Sequence, residues 1–458
     1  MIIFTGLLLR LVFLGFIIFN FGEEAVFTGD SAGFYQTARN LLSGHGFSRA
    51  SEAPFLPDAR FPPLYPILMA SSIQVSGSVL LLIFLQVILS SFIPLLVWKI
   101  SGFLTDLSGP RILAAGIAAL EPLSVILSGL LITDVISVFF MISALYFFLT
   151  FREEIQLKYA ISAGVLLGLS VLTKPNAQFL FILGGLVIFF YVLRSYSRFI
   201  LASGVGFILA FLLVISPWVI RNHKEFGILS ISSTGLRNIY TDFAVSVLNF
   251  ETGRPYHEIE NELTEEFKAK YKITADLEEN PAYGKALLKE GLGVILEHPR
   301  ATAGALLVTW NSFFTQDLYL YFLERFQIIR DFKIDFSPSL VFIKEGPWAL
   351  LGLAWERTGG YLLIPVLGRL FWVFMNFLWI AGLVAAIRQG GKTRTVAIVF
   401  TVLILYYAFT STVAGFSDHG RHRYPASPFM FILASLGLCS LLDYLRKGLG
   451  YRHQIKLI

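Results

Sequence analysis

The chain has 458 residues, 55% of them hydrophobic and only 15% charged, with a mean hydropathy of +0.70. That balance excludes an ordinary soluble domain and indicates a polytopic membrane protein. The formal net charge of +5 is scattered among connecting segments, as expected for the cytoplasmic loops of a membrane protein, and calls for no nucleic-acid partner.

The apolar runs are continuous rather than alternating, so the spans are read as helices and not barrel strands. In chain order they cover 3–20, 79–98, 111–131, 133–151, 159–173, 177–193, 199–217, 362–387, 395–413 and 426–444. The first lacks a basic leader and a small-residue cleavage site and reads as an uncleaved helix. Residues 64–76 are too short to cross and read as an interfacial or half-inserted helix. Two further crossings are candidates between 301 and 356, at Ala301–Phe314 and Pro338–Trp355, and parity requires both or neither. The expected fold is all-α, with about 10–12 transmembrane helices. Cys439 is the single cysteine, so neither an internal disulfide nor a thiolate metal site can form.

Placing the N-terminus in the cytoplasm puts Lys99, Arg111, Arg152, Lys158, Arg194, Arg198, Arg388, Lys392, Arg394 and the Arg446–Lys447 tail on the inner side. Both termini are then cytoplasmic in a plasma or inner membrane. The outer face receives the loop 21–63, the Thr133–Asp134 turn, Lys174–Pro175–Asn176, the polar segment 218–300 and the loop Ser417–Arg423. Residues 1–217 are expected to form one membrane module, 218–300 a small helical cap with Leu263, Phe267 and Tyr271 at helical spacing, and 301–458 the C-terminal membrane helices.

The first break in hydrophobicity, Gly29-Asp30-Ser31-Ala32-Gly33-Phe34-Tyr35, sets a carboxylate at the membrane surface. Capping of the following helix is one reading of Asp30. Removal of a proton from a bound hydroxyl or amine is the other. Asp134, in a tight turn between two apolar helices where Thr133 could cap alone, is costly unless it faces water or a partner. Topology puts both acids on the same face, where they could share acid–base work or supply oxygen ligands to Mg²⁺ or Mn²⁺. Glu121, before Pro122, is read as structural within its span. Lys174 reads equally as snorkelling or as a ligand-binding cation. Asp418-His419-Gly420-Arg421-His422-Arg423-Tyr424-Pro425 concentrates cations above a span, a density suited to an anionic lipid headgroup.

The run Asp30, Tyr35, Ala38, Asn40, Leu41, followed by Gly44-His45-Gly46-Phe47 and Pro62-Pro63-Leu64-Tyr65-Pro66, resembles the GT-C superfamily of membrane glycosyltransferases. Within it, the chain is most similar to prokaryotic relatives of protein O-mannosyltransferases and of the aminoarabinose transferase that modifies lipid A. Thr133-Asp134, Leu172-Thr173-Lys174-Pro175, Pro217-Trp218 with Arg221-Asn222, Glu297-His298-Pro299 and Arg423-Tyr424-Pro425 continue the likeness. The resemblance implies inverting transfer of a sugar from a polyprenyl-phosphate donor to a lipid, glycan or protein acceptor at the outer face. It makes Asp30 the general base and Asp134 the second acid. It also gives Arg60, Lys174, Arg221 and Arg423 to the donor phosphate, and Tyr35, Tyr65, His422 and Tyr424 to the substrate lining. The lone first-loop acid and the lack of a soluble domain after the membrane unit depart from members whose acceptor is clear. A lipid-linked polysaccharide polymerase or ligase is the alternative enzyme class. A transporter is the third reading, without the internal symmetry that many transporters show.

Overall fold

The computed structural model describes residues 2–195, 197–273, 281–326, 337–417 and 419–448, and among these no strand occurs. Among the described residues, seven helices are long and apolar enough to cross a membrane, or eight if one bent pair counts as a single span. The chain is thus an all-α, multi-pass membrane protein, with fewer full-length spans than the ten to twelve expected. The shortfall has local causes. The 111–131 segment is broken, and 159–173 and 177–193 appear as apolar helices below spanning length.

The chain divides into two compact units. The first comprises residues 1–232 with 379–400 and 431–458, and the second comprises 233–378 with 401–430. This differs from the three-part division expected from composition, because the last three long helices each lend a stretch to both units.

In the first unit, α1 (Ile2–Phe21) leads into a long loop, which carries α2 (Ser31–Leu42) and the short α3 (Leu64–Ser76). Next comes α4 (Leu80–Ser101), then α5 (Ser108–Leu120) and α6 (Pro122–Ser128), which meet at a bend of 49°. Glu121 lies at that break rather than inside a helix. Its carboxylate accepts from the N–H groups of Leu123 (3.1 Å) and Ser124 (2.6 Å), doing for α6 what a preceding turn does for a continuous helix.

Helices α7 (Asp134–Glu154), α8 (Leu157–Thr173), α9 (Leu180–Ser195) and α10 (Arg198–Phe226) follow. Packing of α8 on α10 is set by two small residues, Gly164 and Gly168. A Cβ on the first would lie 2.3 Å from the Phe207 carbonyl oxygen, and on the second 2.8 Å from Val214. Helix α10 does not stop at Pro217 as expected. The carbonyl of Leu213, deprived of its usual donor by the proline, accepts from Ser216 Oγ at 3.4 Å, and the helix runs on to a left-handed Gly227 (φ 68°).

The second unit opens with a run of helices between 234 and 297. Helix α11 (Thr234–Asn238) passes through a π-helical turn, Ile239–Ala244, into α12 (Val245–Thr252), and α13 (Tyr256–Tyr271) and α14 (Gly284–Glu297) complete it. Leu263 and Phe267 enter a core with Tyr240, Val245, Ile259, Ile273 and Leu287, as their spacing predicts, while Tyr271 stays at the surface. Neither extra crossing between 301 and 356 is realised as a span. Helix α15 (Pro299–Thr315) has 17 residues, α16 (Tyr319–Arg325) follows it, and the second candidate is split by Gly346 into α17 (Pro338–Glu345) and α18 (Pro347–Thr358). The C-terminal helices are α19 (Leu363–Gln389), α20 (Gly391–Thr410), the short α21 (His419–Arg423) and α22 (Ser427–Gly448). Asp418 and the tail from 449 onward lie outside the described residues.

Candidate functional site

The loop after α1 folds because its polar residues satisfy its own backbone. Asn40 Nδ2 donates to the carbonyls of Ser48 (2.8 Å) and Ala50 (2.9 Å), turning the chain back after α2. Gly33 lets α2 settle on Phe61, whose ring would lie 2.7 Å from any Cβ there. Phe34 then packs at a tilt against Phe61 (4.3 Å between ring centroids) and edge-on against Tyr65 (5.1 Å). Tyr65 is fully buried and donates to Gln86 Oε1 at 2.7 Å, so it is a scaffold residue rather than part of an open lining.

Gln86 passes this anchoring on, because its Nε2 donates to the carbonyl of Leu130 at 2.7 Å. Ser31 Oγ donates to the carbonyl of Leu131 at 2.6 Å, and Leu131 N–H donates to Val26 at 2.8 Å. The loop bearing Asp30 and the turn leading to Asp134 are thereby bonded together from both sides. Asp30 is partly buried, stands at the N-terminus of α2 and makes no side-chain capping bond. Thr133 makes none either. Tyr35 packs edge-on to Phe27 at 5.4 Å beside Asp30.

Asp134 is fully enclosed in the first turn of α7, with Lys174 Nζ 2.6 Å from its Oδ1. Two residues named for different tasks therefore form one ion pair. Lys174 follows the end of α8 in extended backbone (φ −148°, ψ 125°), the conformation that the next residue, Pro175, imposes. One turn inward, Ser137 and Ser170 join the same two helices: their hydroxyls are 3.1 Å apart, and Ser170 Oγ donates to the Ser137 carbonyl at 2.9 Å.

The other cations have backbone work. Arg221 Nη1 donates to the Asp58 carbonyl (2.5 Å) and to Asn222 Oδ1 (2.9 Å), within a cage of Phe47, Trp218 and Phe226. Asp58, absent from the sequence reading, is buried; its carboxylate takes Arg49 Nε at 2.9 Å and the N–H of Arg60 at 3.1 Å. Arg60 lies over the Phe61 ring at 5.4 Å, and its carbonyl accepts from Ser232 Oγ.

In the second unit, Arg423 is fully buried, donates to the carbonyls of Phe313 (2.6 Å) and Gln316 (2.7 Å), and has its guanidinium carbon 3.5 Å from the Trp372 ring centroid. Tyr424 is also buried, and His422 is partly so, with its ring 5.9 Å from that of His419. Burial pushes His419 down to about 4, so its imidazole is neutral where it meets the Gly415 carbonyl. Asp317, also unanticipated, is pushed up to about 6 by burial despite Arg369, Arg423 and the Tyr319 N–H nearby.

A metal held by Asp30 and Asp134 does not fit. Among the described residues no three His, Cys, Asp or Glu side chains gather, and the Asp134 carboxylate already faces an ammonium. The Gln86 signal was legible as a lone amide in an apolar run, and Asp58 as an acid two residues before Arg60.

Residues 60–220 match the family model described as dolichyl-phosphate-mannose-protein mannosyltransferase. Comparison with curated proteins gives no match. Among solved structures, the archaeal oligosaccharyltransferase AglB from Archaeoglobus fulgidus, in complex with an inhibitory peptide and a dolichol-phosphate, is similar at 15% identity with a TM-score of 0.49. The alignment covers 99% of this chain and 52% of that one. The apo form of the Archaeoglobus fulgidus oligosaccharyltransferase is similar at 15% identity and a TM-score of 0.41, over 100% of this chain and 53% of that one. The chain thus spans about half the length of these structures. The likeness to that family is carried by residues 60–220, which hold Gln86, Asp134 and Lys174.

Proposed function

We propose that the protein transfers a sugar from a polyprenyl-phosphate carrier to a lipid, glycan or protein acceptor at the outer membrane face, inverting the anomeric carbon. The observation that carries this reading is the Ser31–Leu131 bond, which ties the loop of Asp30 to the turn of Asp134. In this mechanism Asp30, at the N-terminus of α2, accepts the proton of the acceptor hydroxyl as the new glycosidic bond forms. The bond from the anomeric carbon to the phosphate oxygen breaks on the opposite side, and the carrier phosphate leaves with the electron pair. Lys174, held by Asp134, and Arg60 offer positive charge for that departing phosphate. Arg221, whose Nη1 serves the Asp58 carbonyl, holds the chain ahead of Arg60 instead.

Mass spectrometry of outer-surface glycans and polyprenyl-phosphate sugars, in cells with and without the protein, tests the proposal. Loss of one surface sugar with accumulation of its lipid-linked donor is expected. No change in either pool overturns it.

A further inference from the structure

The first span contains a charge that the transfer scheme above does not use. Arg10, in α1, is 1% exposed. An arginine inside a span is costly and ordinarily reaches for the interface. Here it turns inward and meets partners on three other helices. Its Nε donates to Ser90 Oγ of α4 at 2.7 Å, Nη1 to the Ala119 carbonyl of α5 at 3.2 Å, and Nη2 to Ser124 Oγ of α6 at 3.1 Å. A fourth bond, from Nη1 to the Gly6 carbonyl at 3.0 Å, ties it back to its own helix.

What these partners share is the break at Glu121–Pro122. In a continuous helix the Ala119 carbonyl would accept the N–H of Leu123, but that N–H is committed to the Glu121 carboxylate. Arg10 supplies the missing donor. On the far side of the break, Ser124 Oγ donates to the Glu121 carbonyl at 2.8 Å and accepts from Arg10. One guanidinium therefore spans the elbow, satisfying a carbonyl before it and a hydroxyl after it, and Ser90 sets its height against α4. In an environment without water, no other donor can replace it.

The elbow governs where α6 points. From Ser124 the chain reaches Asp134 in ten residues, through the turn that Gln86 and Ser31 hold at the carbonyls of Leu130 and Leu131. We infer that Arg10 is a positioning residue for the outer site: by clamping the 49° bend at Glu121–Pro122 it fixes the course of α6, and so the place where the Asp134 turn meets the loop of Asp30. The activity consequence rests on the proposed sugar transfer, while the structural consequence does not.

The test uses the full chain in a Cys439→Ser background carrying Leu131→Cys, since Leu131 is fully buried beside the site. Labelling by a membrane-impermeant maleimide is slow with Arg10 present and rises about tenfold with Arg10→Met, as the turn opens locally. Ser51→Cys, on an exposed loop, labels equally in both backgrounds. With Leu131 and Cys439 intact, Arg10→Met lowers kcat by about 10²-fold with KM for the lipid-linked donor unchanged, and Arg10→Lys, which keeps the charge and one donor, recovers part of the loss. Unchanged labelling together with parental kcat overturns the inference. Increased labelling in a protein that transfers no sugar even with Arg10 intact overturns the transfer reading and leaves the elbow standing. Where Arg10→Met does not fold, Ser124→Ala, which removes one strut only, carries the test: raised labelling supports the elbow, and parental labelling overturns it.

Discussion

Lys174 Nζ stands 2.6 Å from Asp134 Oδ1, with the lysine side chain 14% exposed and the carboxylate fully enclosed. Removing one partner leaves the other charged and desolvated. Lys174→Met is therefore expected to cost about 3–5 kcal/mol, and Lys174→Met with Asp134→Leu distinctly less than the sum of the two single changes. Thermal unfolding in detergent of the two single variants and the double measures this. Additive losses would show that the pair contributes no coupling.

An amide in place of the Asp30 carboxylate keeps the side chain's shape and removes its basicity. Asp30→Asn should reduce sugar transfer by about 10²–10⁴-fold, the usual contribution of a general base, with the melting temperature held. Near-parental turnover in a well-expressed variant would remove Asp30 from the mechanism.

Burial lifts Asp317 from the ordinary carboxylate value of 3.8 to about 6 in the folded chain. Between those values the folded state keeps a proton that the unfolded state has lost, so stability falls as pH rises through that window and is level above it. Asp317→Asn keeps an acceptor for the Tyr319 N–H and removes the penalty. The variant should gain up to roughly 3 kcal/mol at pH 7.5 and almost nothing at pH 4. Melting curves that stay parallel across this range would contradict it.

Helix α18 presents Trp348 (82% exposed), Leu351 (40%) and Trp355 (63%) on one side and runs directly toward the membrane span α19. Twelve residues reach only about 18 Å, too little for a bilayer core of about 30 Å. Tryptophans so placed suit the headgroup boundary. Fluorophores at Trp348→Cys and Trp355→Cys, in a Cys439→Ser background, should be quenched by lipid labels at the same shallow depth. A membrane-crossing helix would separate them by about 10 Å.

The spans and the loop after the first of them could be read from the sequence because each has a local cause: unbroken apolar length in one case, and an Asp flanked by glycines and followed by an amphipathic run in the other. The pairing of Asp134 with Lys174 could not, since 40 positions separate them and only the packing of α7 on α8 brings them together. Arg10 was hidden by its surroundings, as one cation does not interrupt an apolar run long enough to read as a span. The full count of spans was overestimated for the opposite reason. Hydropathy at 111–131 is continuous, but Pro122 leaves no donor for the helix to continue through. The cations of Arg221 and Arg423 signalled charge correctly, yet nothing in their neighbourhood revealed that carbonyls across the fold would claim them.

The hydroxyls of Ser137 and Ser170 meet one turn below the Asp134–Lys174 pair. A slip of one residue along either helix would swing these groups about 100° out of alignment, and hydrocarbon offers a mispaired hydroxyl no water to bind instead. The pair therefore fixes the register of α7 against α8, and with it the meeting of Asp134 and Lys174.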